Sequence, residues 1–207
     1  MNRLQAELKR LYALDDAPGQ VRAMVLSLSR PADWEALSAM WRGVQADLAL
    51  PAPAIAVSGI DGYQIWFSLL EPLPAAQAMA FLDALRLRYL RGIAAERVGL
   101  MVDAPVVPAL QAPTGNWSAF VATDLAPVFA DTPWLDIPPS PDGQADLLSR
   151  LASIKRADFQ QALERLSPAD AKVHPRSPKN FLLEVMNDDT IELDLRIQAA
   201  QALLPYC

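Results

Sequence analysis

The chain has 207 residues, of which 52% are hydrophobic, and a formal net charge of −6. That length suits one ordinary domain with a smaller second unit, and that composition excludes an intrinsically disordered chain. One histidine, His174, and one cysteine, Cys207, exclude an internal disulfide and a His/Cys zinc site, and leave His174 as the sole imidazole for Ser-His or Cys-His catalysis.

Apolar positions Leu4, Leu8, Leu11, Tyr12 and Leu14 predict a short amphipathic helix over 3–14, ended by Asp15-Asp16-Ala17-Pro18-Gly19. A strand is predicted at 21–29, with Met24, Leu26 and Leu28 on one face and Ala23, Val25, Ser27 and Ser29 on the other. After Arg30-Pro31, the stripe Trp34, Leu37, Trp41, Val44 and Leu48 predicts a helix over 32–48, and Pro51 and Pro53 end it. Two strands follow, at 54–58 and 63–70, joined by a turn at Gly59 to Gly62. Ile55 and Val57, then Tyr63, Ile65, Phe67 and Leu69, form their apolar alternates. A second helix is predicted over 75–90, buried through Ala78, Phe81, Leu82, Leu85 and Tyr89, and a fourth strand over 98–103.

The order β-α-β-β-α-β predicts an α+β, ferredoxin-like or RRM-like core with an antiparallel sheet and both helices on one face. The opposite face then carries Ala23, Val25, Ser27 and Ser29; Ala54, Ala56 and Ser58; Gln64, Trp66 and Ser68; and Gly99, Met101 and Asp103. Small and polar residues around one tryptophan do not read as a second hydrophobic core. They read either as a binding surface or as a floor that later segments cover.

Eight prolines crowd residues 104–142, but Trp117 to Val121, Val128-Phe129 and Trp134-Leu135 interrupt them. A free linker has no use for such aromatics, so an ordered Pro-rich extension is expected, with a short fifth strand at 117–121. Helices are predicted at 143–153, 156–166, 178–187 and 191–204, the last two as a hairpin around a polar turn. The expected domains are therefore 1–104, an extension at 105–142 packed on it, and a helical module at 143–207.

The stretch Ser58-Gly59-Ile60-Asp61-Gly62-Tyr63-Gln64-Ile65-Trp66-Phe67 resembles a motif of the archaeo-eukaryotic primase–polymerase superfamily over residues 21–103. The resemblance implies an acidic metal-binding pair at the end of the first strand, a histidine in the second motif and a third acidic residue after a later strand. Ser27 and Ser29 stand at the first place, Gln64 at the second, and Asp103 at the third. Divalent metals in two-metal phosphoryl transfer need several carboxylates, and neutral hydroxyls are poor substitutes. The resemblance thus implies an inactive homologue, with no catalytic residue, metal or cofactor retained. Another ferredoxin-like domain, in which Gly59 and Gly62 merely serve a turn, fits the same residues. Residues 177–206 look similar to helical segments of phage small terminase subunits, which also reads as a plain packed hairpin.

The expected function is a non-catalytic primase-like binding protein contacting nucleic acid or a replication partner in a mobile-element setting. Its candidate ligand-binding face is Ser27, Ser29, Ser58, Gln64, Trp66 and Asp103. Arg86, Arg88 and Arg91, with Arg97 nearby, form a local basic cluster that reads as a weak phosphate site or as charge near a helix C-terminus. The alternative is an interaction or assembly factor with no nucleic-acid role, favoured by the acidic balance: 10 Lys/Arg against 11 Asp/Glu through Asp103, and 8 against 13 beyond it. An enzyme of other chemistry would have Asp61 and Asp103 as its carboxylates. No apolar run reaches the roughly 18 residues of a membrane span, and Met1-Asn2-Arg3-Leu4-Gln5 has no apolar signal core. A cytoplasmic protein without a membrane partner is expected.

Overall fold

The computed structural model describes residues 2–13, 18–166, 182, 185–186 and 193–203. Contacts divide the chain into two units, Met1–Leu166 and Ser167–Cys207.

The first unit is α+β. Helix α1 (Arg3–Tyr12) starts at a capping box, in which Asn2 Oδ1 accepts from Gln5 N at 2.8 Å and Gln5 Oε1 accepts from Asn2 N at 3.1 Å. Strand β1 (Gln20–Ser29) leads to α2 (Trp34–Ala46), which Asp33 caps by accepting from Ala36 N at 3.0 Å. Strands β2 (Ala54–Val57) and β3 (Gly62–Pro74), helix α3 (Ala75–Tyr89) and β4 (Val98–Met101) follow. A two-stranded ribbon, β5 (Leu110–Gln111) with β6 (Asn116–Trp117), precedes β7 (Ala119–Val121). Helices α4 (Pro141–Ser149) and α5 (Arg156–Leu166) complete the unit.

The main sheet has five antiparallel strands in the order β4-β1-β3-β2-β7. The fifth strand, expected at 117–121, begins at Ala119, because Asn116 and Trp117 pair instead with β5. Strand β3 runs four residues further than its alternation predicts, through Pro72 and Pro74. There it pairs with Gln20 and Val21, beyond a register shift between Val21 and Ala23.

On one face, Met24, Leu26, Leu28, Ile65 and Phe67 pack against Leu37, Met40 and Val44 of α2 and Phe81, Leu82 and Leu85 of α3. Helix α5 adds Phe159, whose ring lies 4.9 Å from that of Phe81. The other face corrects the sequence reading: it is a second hydrophobic core. Val25, Ala54, Ala56 and Trp66 pack there against Leu4 and Leu11 of α1, Val107, Phe120 of β7, and Ala145 and Leu148 of α4. Most of the apolar mass arrives from outside the four-strand unit, and the small sheet residues leave room for it. Helices α4 and α5, expected within a C-terminal module, therefore lie on opposite faces of this sheet.

Strand β7 is an edge strand whose outward polar groups are already occupied. Phe120 N donates to Gln144 Oε1 at 2.8 Å, and Gln144 Nε2 donates to Phe120 O at 2.9 Å. A single buried amide thus stands where a sixth strand would pair, which protects an otherwise open edge.

The second unit contains α6 (Leu193–Leu203), with Leu195 and Ile197 exposed, and Arg196 Nε donating to Met186 O at 3.0 Å. Most of the first helix of the expected hairpin, more than half of the terminase-like pattern, His174 and Cys207 lie outside the described residues.

Gln144→Leu preserves bulk but leaves Phe120 N and O unpaired. It is expected to destabilise the first unit by about 2–4 kcal/mol, read as a lower urea midpoint at unchanged slope. Gln144→Glu, which keeps the acceptor, should lose less.

Candidate functional site

The turn between β2 and β3 is built around one hydroxyl. Ser58 Oγ accepts from the backbone N–H of Ile60 at 3.1 Å, Asp61 at 2.9 Å and Gly62 at 3.0 Å, and Ser58 N donates to Gly62 O at 2.8 Å. Its two glycines answer different constraints. Gly59 has φ +77°, and a Cβ there would sit 2.6 Å from Gln111 Cγ and 2.7 Å from Ser118 N. At Gly62 a Cβ would collide with the Leu28 carbonyl of β1. The turn is held from outside as well: Gly59 N donates to Pro133 O at 3.0 Å, and Thr114 Oγ1 donates to Gly59 O at 2.8 Å.

Strand register sets two cross-sheet rows on the second face. Gly99, Ser27, Gln64 and Ala56 form one; Met101, Val25, Trp66 and Ala54 form the next. The second row is covered. Trp66 is 3% exposed, with its ring edge-on to Tyr12 at 5.2 Å and to Phe120 at 5.3 Å. The first row stays partly open. A cavity of about 260 Å³ is lined by Ser27, Ser29, Ser58, Asp61 and Gln64 from the turn and strands. Met101 of β4, with Val106, Val107, Gln111 and Ser118 from later segments, completes the lining.

Four of the six expected ligand-binding residues thus converge: Ser27, Ser29, Ser58 and Gln64. Trp66 does not join them; it borders a separate, more open groove of about 490 Å³ with Leu8, Lys9 and Tyr12. Asp103 is exposed and does not line the cavity. The expected open sheet face is therefore reduced to one corner, because α1, β7 and α4 cover the rest.

Apart from Asp61, the chemistry of this corner is neutral. Gln64 Oε1 accepts from Trp66 Nε1 at 3.0 Å, so its acceptor is committed to the core. Ser29 Oγ donates to Arg97 O at 3.2 Å, and the Ser27 hydroxyl lies over Gly99, where a Cβ would strike it. Asp61 is the one charged residue of the lining, and among the described residues no three His, Cys, Asp or Glu side chains stand together.

The basic cluster serves elsewhere. Arg86 pairs with Asp83 at 2.7 Å, Arg88 Nη1 donates to Arg165 O at 3.0 Å, and Arg91 Nε donates to Leu87 O at 2.5 Å. None of these three lines the cavity. Arg97 is the cation nearest to it in register, and its Nη2 donates to Ser29 O at 3.4 Å and to Pro31 O.

Tyr63 anchors the start of β3 on the first core. Its hydroxyl donates to Ala126 O at 2.6 Å, and burial, with the Asp131 charge adding to it, pushes the phenol up to about 12. Sequence reasoning missed Gln111, Ser118 and Val106, because two-residue strands carry no readable period and the strap 104–109 reads only as proline-rich. Ser118 Oγ joins that strap by accepting from Ala109 N at 2.9 Å.

No known protein-family model matches the chain, and no curated protein matches it.

Ser58→Ala removes one acceptor from three turn amides and is expected to cost about 1–3 kcal/mol in chemical denaturation. Tyr63 titrates higher in the folded state than its ordinary value of 10.0. Its contribution is therefore complete below about pH 10 and is lost as pH rises towards 12. Tyr89, held up to about 12 by burial and its bond to Asp47, adds to the same window. Unfolding free energy should fall between these pH values, and Tyr63→Phe should flatten the fall.

Proposed function

We propose that this protein is a non-catalytic relative of primase–polymerase domains that works by binding, with a partner of a replication apparatus as its target. The observation that carries this reading is the corner cavity itself. Its lining gathers Ser58, Gly62, Ser27, Ser29 and Gln64, the residues on which the resemblance rests, and that resemblance would put charged catalytic groups where Ser27, Ser29 and Gln64 stand. The strand order β4-β1-β3-β2, with α2 and α3 as crossovers, supports a ferredoxin-like βαββαβ core to which β7 is added. Two-metal phosphoryl transfer needs carboxylates on the ions and cations on the phosphates, and the lining offers Asp61 alone.

Of the two contacts the sequence reading allowed, the geometry favours a partner surface over a nucleic-acid backbone. Phosphate affinity comes from released counterions and so from cations at the interface, and no Lys or Arg lines this cavity. Its rim is apolar instead, with Val106 77% and Ile60 40% exposed. These features equally support an assembly factor without any nucleic-acid role.

The purified protein is expected to make no primers with Mg²⁺ or Mn²⁺ on a single-stranded template. Metal-dependent synthesis abolished by Asp103→Ala would sink the proposal. A mobility-shift series with single-stranded DNA and RNA is expected to show no binding even at low salt; tight binding lost steeply with salt would return the reading to nucleic acid.

A further inference from the structure

We propose a second, separate ligand site in the first unit, suited to a small zwitterion with an apolar body: a free hydrophobic amino acid. A cavity of about 410 Å³ opens between the end of β7, α2 and the C-terminus of α4. Its walls are apolar, with Trp41, Ile55, Phe120, Leu148 and Leu151. The indole N–H of Trp41 is already used, donating to Pro53 O at 3.0 Å, so the ring presents only apolar surface inward. This size and lining fit a small-molecule pocket, in which a few polar groups set the orientation.

Those polar groups are Asp124 and Arg150, both in the lining of the same cavity. Both are exposed, and among the described residues neither side chain makes a hydrogen bond or ion pair. They do not neutralise each other, although they share one lining. Nor is Arg150 needed to cap its own helix. Arg10 of α1 does that, donating from Nη2 to Leu148 O at 2.9 Å and from Nη1 to Leu151 O at 3.1 Å. Two opposite charges without structural partners line one largely apolar cavity. They fit a ligand that offers a carboxylate to the guanidinium, an ammonium to Asp124 and an apolar side chain to Trp41 and Phe120. A fatty acid would meet the repulsion of Asp124, and an amine would meet that of Arg150. This site shares no residue with the corner cavity and stands whether or not the primase-like reading does.

L-phenylalanine is the probe, titrated into the full chain by calorimetry and followed by amide NMR. Saturable one-to-one binding is expected, with shifts at Thr123, Asp124 and Arg150. Exposed ion pairs are individually weak, so Arg150→Ala and Asp124→Asn should each weaken binding by about three- to fivefold. 3-Phenylpropionate and phenethylamine, which each lack one charge, should bind the unaltered protein weaker by a similar factor. The variants change exposed residues, and unchanged melting would show that they fold. The proposal is overturned by absence of saturation, by shifts that avoid residues 122–124 and 147–151, or by variants and analogues that match the parent pair.

Discussion

The burial of one indole organises the second face of the sheet. Trp66 sits at its centre, edge-on to both Tyr12 and Phe120, whose own rings lie parallel at 6.3 Å. Helix α1, strand β7 and helix α4 are thereby drawn onto the same patch. Aromatic pairs of this kind add about 0.5–1.5 kcal/mol each beyond the area they bury. The arrangement needs small neighbours, and Ala54 stands directly across from Trp66 on β2 with Ala56 in the next row. It also needs an acceptor for the indole N–H, which Gln64 provides. Where this cluster ends, the face opens into the corner cavity.

Gln64 consequently belongs to two environments at once. It lines the cavity, and its Oε1 holds Trp66 in the core. A ligand that took this oxygen would leave a buried indole N–H unpaired, at about 1–3 kcal/mol. That cost narrows what the cavity can offer to the Gln64 Nε2 donors, the hydroxyls of Ser27 and Ser29, the Asp61 carboxylate and its apolar rim. Ser58 is likewise occupied, because its oxygen already organises three backbone amides. The residues that most resemble a binding motif are thus largely engaged in holding the turn and the second core. This is why a surface contact at the rim accounts for the geometry better than a deeply held polar ligand.

The first core was legible because each of its elements carries its own period. Met24, Leu26 and Leu28 alternate, as do Tyr63, Ile65, Phe67 and Leu69, and Leu37, Trp41 and Val44 step as a helix. All but Trp41 are buried in one cluster, and Trp41 packs against it. The second core was not legible, because no element announces it alone. Leu4 and Leu11 lie more than fifty residues before Trp66 in sequence, Ala145 and Leu148 about eighty after it, and beside Trp66 the first four strands contribute only Val25, Ala54 and Ala56 to the buried cluster. The large aromatic on a face of small residues was the visible trace, and covering by later segments was one of its two readings. Gln144 left no trace at all: a glutamine in a helix carries no sign that it closes a strand edge. At the candidate site, the glycine spacing located the turn, but the strap and ribbon that roof it depend on contacts between residues fifty apart, such as Thr114 with Gly59.

The arginines explain how a local basic cluster comes to serve the fold of the first unit. In the first unit they are mostly bound to main-chain carbonyls. Arg22 ties Leu69 O, Ala13 O and Arg10 O together; Arg97 holds Ser29 O and Pro31 O; Arg156 donates to Pro72 O; and Arg165 donates to Asp47 O. The planar guanidinium, with several donors in a fixed fork, suits this bridging of loops and helix ends in a way an ammonium does not. In the Arg86, Arg88 and Arg91 run, the first pairs with Asp83 and the other two donate to the main-chain carbonyls of Arg165 and Leu87. Arg150 departs from this pattern. The carbonyls it would naturally cap are taken by Arg10, and it lines an apolar cavity together with an equally unpaired carboxylate, Asp124. Where most of the unit's guanidinium groups bind its own backbone or a carboxylate, a pair of opposite charges lining one apolar cavity is best understood by what would bind them both.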